Sequence, residues 1–150
     1  MKLALALSER ADLQRRIAEL SGRLNNNAKT QEGEKSAEDP KELLAELDEN
    51  LENLEQLIIK INLTNSKTVV DGVSLTEMIA KRDCLAKRLS VMRSFLDSAS
   101  EKVDRYTQTE IKIVSTVSVS KLQKECDSYS KQLRQIDEKI QEANWTTELI

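Results

Sequence analysis

Four segments of this chain repeat apolar residues three and four positions apart, and that spacing restricts the fold more than any other feature. The first runs Leu3, Ala6, Arg10, Leu13, Ile17, Leu20, Leu24, and the second Leu44, Leu47, Leu51, Leu54, Ile58, Ile61, Asn65. The third runs Leu75, Met78, Arg82, Leu85, Leu89, Met92, Leu96, Ala99, and the fourth Leu122, Cys126, Tyr129, Leu133, Ile136, Ile140, Ala143. Each is the a/d seam of a helix of about 22–26 residues, or roughly 33–39 Å. Apolar residues beside the seams (Leu7, Leu43, Leu57, Ile79, Phe95) widen the stripe beyond that of a two-stranded coiled coil. The expected fold is mainly all-α: four long helices in an up-down bundle or coiled-coil arrangement, forming one domain over residues 1–150. Only 3% of residues are aromatic, so the core is expected to consist of Leu, Ile, Val and Ala.

The boundary signals agree with these segments. Asn25-Asn26-Asn27 closes the first helix, and residues 25–38 read as a flexible polar loop with Gly33 near its middle. Asp39-Pro40-Lys41-Glu42 supplies an N-cap, a proline at the first helical position and a glutamate three residues after the cap. Val69-Val70-Asp71-Gly72-Val73 reads as two short strands about an Asp-Gly turn, and Ser74 with Glu77 opens the third helix. One run breaks the helical pattern. TEIKIVSTVSV, Thr109–Val119, places Ile111, Ile113, Val117 and Val119 on one side of a period-2 alternation. A minor β element is therefore expected at residues 68–74 and 109–117. It pairs either within one chain or between subunits, and Ile111 and Ile113 are candidate assembly residues.

Several functions lack their parts. The net charge of −3 and the interleaving of acids with bases give no footprint for nucleic acid. Histidine is absent and the two cysteines stand 42 positions apart, so zinc sites and Cys–His or Ser–His catalysis cannot be assembled. Acidic clusters such as Asp48-Glu49-Glu52 and Asp137-Glu138-Glu142 leave only a carboxylate metal site as an option. The expectation is no enzyme activity, no cofactor and no catalytic residue. The N-terminal apolar run is too short for a signal peptide, and nothing approaches the ~20 apolar residues of a spanning helix, so a cytoplasmic location is expected. Release by a non-classical route is the alternative.

Two seam positions carry arginine. In an up-down bundle Arg10 and Arg82 lie at one level, where Asp137 or Glu138 would offer a carboxylate in a polar layer that fixes register and oligomeric state. The blander reading has both side chains reaching to solvent. Charge is also divided by helix: Lys2–Leu24 holds five basic and three acidic residues, Pro40–Ile61 two and six, and Leu75–Ala99 five and three. The second helix thus complements its neighbours. Trp145, just beyond the expected end of the fourth helix, is read as a plug closing the bundle or docking on a neighbouring subunit, with interfacial membrane anchoring as the sharper reading.

Five blocks in order, MKLALALSERADLQRRIAEL, EDPKELLAEL, TVVDGVSLTEMIAKRD, EIKIVSTVSV and NWTTEL, resemble the septicolysin-like family of small bacterial helical proteins. The resemblance implies a helical homo-oligomer, with a pore-forming cytolysin role for some members. It brings no catalytic or ligand residues with it. The expected function is a non-enzymatic homo-oligomer acting through protein–protein contact. A cytolysin acting on membranes is the alternative, and a bundle binding a small ligand or metal is a second alternative.

Overall fold

Asp39 starts a helix because its carboxylate accepts the Lys41 N–H at 2.9 Å while Pro40 contributes a preset φ and has no N–H to satisfy. In the computed structural model, which describes residues 1–101 and 111–150, this helix is α2 (Pro40–Lys67). It follows α1 (Leu3–Asn26) and precedes a hairpin of β1 (Val69–Val70) and β2 (Val73–Ser74). Then come α3 (Leu75–Ser100) and α4 (Val119–Thr146). Over the described residues the protein is mainly all-α, with four helices and one small antiparallel sheet.

The hairpin forms as its dipeptide requires. Asp71 and Gly72 both have positive φ, 51° and 83°, as a type I′ turn demands, and Val70 pairs with Val73 and Val69 with Ser74. The Leu75 N–H donates to the Thr68 carbonyl at 2.8 Å, so the ladder runs directly into α3.

The chain divides into two compact units, Met1–Leu75 with Gln141–Ile150, and Thr76–Ile140. In the first, α1 and α2 pack antiparallel. Arg23, near the end of α1, pairs with Glu38 and Glu46 around the start of α2, while Ile150 reaches Thr64 near the end of α2. Leu3, Ala6, Leu13 and Leu20 of α1 are buried with Leu43, Leu57 and Ile61 of α2. The tail of the chain closes the open end of this pair. The Leu3 N–H, an orphan donor at a helix start that has no side-chain cap, donates to the Thr147 carbonyl at 3.0 Å. Lys2 in turn donates to the last carbonyl of α4, Thr146, at 3.1 Å. In the second unit α3 and α4 are antiparallel: Arg82, early in α3, stands 3.7 Å from Asp137, late in α4, while Arg93, late in α3, donates to Ser130 Oγ at 2.8 Å, nearer the start of α4; between them Arg88 lies over the Tyr129 ring at 4.5 Å. Leu89, Leu96 and Cys126 are its buried centre, with Met92, Leu122 and Leu133 packed around them.

The strand expected at 109–117 is absent from its described part. Residues 111–118 form no strand, while Thr109 and Glu110 lie outside the described residues. Two local causes override the period-2 pattern. The Ser115 hydroxyl accepts the Val117 N–H and donates to the Val117 carbonyl, folding the run into a turn. Ser118 Oγ then accepts the Lys121 N–H, a cap that commits Val119 to α4. The presumed mate at 68–74 is already paired with itself.

Candidate interaction surface

The first, third and fourth seams face inward as the spacing predicts, but α2 is turned. Leu44 and Leu51, read as seam residues, are 49% and 44% exposed. Ile61 of the predicted seam is buried, but the other inward positions are Leu43, Asn50, Leu57 and Thr64, and the five are also spaced three, four or seven apart. Asn50 and Thr64 hid this register, because a pattern of apolar residues cannot count them. Thr64 suits burial because its hydroxyl donates to the Lys60 carbonyl at 2.8 Å and accepts the Ile150 N–H at 3.1 Å.

The consequence is a helix with two adjacent apolar stripes. One packs on α1. The other, Leu44, Leu47, Leu51, Leu54 and Ile58, runs from exposed to half-buried along one flank of the α1/α2 pair. On α1, Ile17 and Leu24 are half-buried on the flank one residue round from Glu9 and Arg16, and Arg10 shares it. Glu9 and Arg16 line a cleft of about 570 Å³ on the opposite flank, together with Glu49, Asn50, Asn53 and Gln56 of α2. The pair therefore has one apolar flank and one polar, grooved flank.

Arg82 is 30% exposed at its side chain, pairs with Asp83 at 2.8 Å, and stands 3.7 Å from Asp137. Glu138 is exposed. Arg10 is half-buried, and no ion pair engages it among the described residues. Ile111 is 81% exposed, and Ile113 is exposed beside it. Trp145 lies within α4 rather than beyond its end and is 61% exposed, so it closes no bundle end among the described residues: Ala143 and Asn144 take the buried positions, and the next residue points 100° round the helix. Cys126 is buried and Cys84 exposed, both as free thiols.

Ion pairs hold the ends of the first unit. Arg23 grips the Glu38 carboxylate through two nitrogens, and this hydrogen bonding pulls Glu38 below the ordinary glutamate range while raising Arg23. Asn27 fixes the same corner by accepting the Glu38 N–H and donating to the Arg23 carbonyl, each at 2.9 Å. At the opposite end Lys2 pairs with Glu148 at 2.7 Å and lowers its pKa, chiefly by hydrogen bonding.

No group of three or more acidic, histidine or cysteine side chains among the described residues is placed to hold a metal ion. None of the described helices is long and apolar enough to cross a membrane. A family model described as a family of unknown function (DUF6847) matches residues 10–149. A crystal structure of a functionally unknown conserved protein from Corynebacterium diphtheriae is similar to the chain, with a TM-score of 0.93 at 40% sequence identity. The likeness covers 100% of this chain and 99% of that one. No curated protein matches the chain.

Proposed function

Because the chain belongs to DUF6847, a family of unknown function, its role is argued from its surfaces, and we propose that it is a non-enzymatic module that self-associates through the apolar flank of α1 and α2. The observation that carries this reading is the exposure of Leu44 and Leu51 in a continuous stripe with Leu47, Leu54 and Ile58. Helical pairs of this kind bury such a stripe against further helices.

The occupant is a second copy, for two reasons of charge. The basic α1 and the acidic α2 complement each other when two such pairs meet across a two-fold axis. Arg10 lies on the apolar flank without an ion partner among the described residues, while Asp48 and Glu55 border the stripe on α2. Contact with nucleic acid is disfavoured by the net charge of −3, and the role suits the inside of a cell. Size-exclusion chromatography with light scattering tests the reading on the wild type and on Leu44→Glu/Leu51→Glu. The wild type should elute as a multiple of 17.0 kDa and the variant at 17.0 kDa. Equal masses for the two would remove this face from any role in assembly.

The exposed cluster of Ile111, Ile113 and Val114 favours a second reading, a cytolysin of the septicolysin-like kind that inserts this segment into lipid. Dye release from vesicles with and without cholesterol separates the two: steep, concentration-dependent release that is lost in Ile111→Asp/Ile113→Asp supports insertion. Intact vesicles at all concentrations would eliminate it.

A further inference from the structure

Asn50 stands in the inward register of α2, one heptad after Leu43 and one before Leu57, where leucine would pack. It is 9% exposed, and its side chain hydrogen-bonds no described residue. A buried amide without partners lowers stability. Its polar atoms are not sealed in, however, but open into the cleft between α1 and α2. Asn53 and Gln56, three and six residues on, line the same cleft and also lack hydrogen bonds among the described residues. Three side-chain amides, each with a carbonyl acceptor and two N–H donors, therefore stand along about 9 Å of helix with no partner among the described residues.

Both ends of the row carry both signs of charge. Glu49 and Arg16 lie at one end and Glu9 and Lys60 at the other, and no ion pair among the described residues spans the cleft at either end. Leu13 and Leu57 also line it, giving an apolar surface between the charges. The volume of about 570 Å³ lies within the usual range for small-ligand sites. We infer that this cleft binds a short peptide in extended conformation, its backbone amides paired with Asn50, Asn53 and Gln56 and its charged termini met at the two ends. An extended peptide presents alternating N–H and C=O groups, which a side-chain amide can pair with as donor and acceptor together. From Glu49 to Lys60 the helix rises about 16 Å, the length of about five extended residues. Recognition of this kind reads backbone rather than side chains and tolerates many sequences. It does not depend on self-association, since Leu44 and Leu51 lie on the other flank.

The test titrates the full ¹⁵N-labelled chain with pentaglycine and, separately, with acetamide, following the side-chain NH₂ resonances of Asn50, Asn53 and Gln56. Pentaglycine should shift all three saturably, and acetamide at the same amide concentration should not saturate. The double variant Asn53→Leu/Gln56→Leu, at two exposed positions, should fold normally and lose the response. Asn50→Leu should raise Tm and weaken pentaglycine binding by about tenfold or more. Absence of saturable shifts with pentaglycine, equal saturation by acetamide, or an unchanged double variant would overturn the proposal. So would a lower Tm for Asn50→Leu, since the amide would then be satisfied within the folded chain.

Discussion

Gly72 holds φ at 83° beside Asp71 at 51°, so the tight connection into α3 depends on a residue that tolerates the left-handed region. Gly72→Val should lower stability by roughly 1–2 kcal/mol in urea unfolding, although a side chain there meets open space, because the cost lies in the backbone. Ile61 is the opposite case. It is almost fully buried, and Ile61→Ala should cost about 2–5 kcal/mol by the same measurement, from lost burial and the cavity left behind. Single residues were legible in the sequence where their chemistry is local: the Asp39 cap, the Asp-Gly turn and the buried Cys126 all follow from residue type and spacing. Asn50 was not legible. A polar residue in a seam cannot be told from one beside it until the helix has a partner, and the error turned α2 far enough to misplace Leu44 and Leu51.

Among the elements, the ends of α1 depend most on charge. Glu38 and Glu148 both ionise more readily in the folded chain than an ordinary glutamate, whose value is near 4.5. Their contribution is therefore complete above that value and is lost as pH falls through the lower, folded-state value. Exchange protection of the Leu3 amide and of the Leu149 amide, which donates to the Met1 carbonyl at 2.8 Å, should hold at neutral pH and decline below about pH 4.5. Glu148→Gln should already show weaker protection at neutral pH, with little further change across that window. Unchanged protection in this variant would mean that backbone bonds alone hold the tail. At the start of α2, Asp39→Ala should cost about 1 kcal/mol of stability. The run at 111–118 marks the limit of element-level reading. Alternating apolar residues promise a strand only if another strand is free to pair, and here Ser115 and Ser118 offer the backbone a turn and a cap instead.

For the whole molecule, the sequence conveyed four helices and their approximate lengths because the three-four spacing persists through each segment. It also conveyed that the apolar surface is wider than a single seam needs, but not which flank stays uncovered, since that depends on how α2 rotates against α1. The uncovered flank is the basis of the proposed self-association, and its borders of Arg10 on one side and Asp48 and Glu55 on the other give the contact an electrostatic component. Arg10→Met should keep the helix content unchanged and shift the balance of assembled states, and that shift should shrink at high salt. The most direct measurement is sedimentation velocity of the wild-type chain over a wide concentration series. Self-association through the apolar flank predicts a species heavier than 17.0 kDa that dissociates on dilution. A single species of 17.0 kDa at every concentration would contradict it.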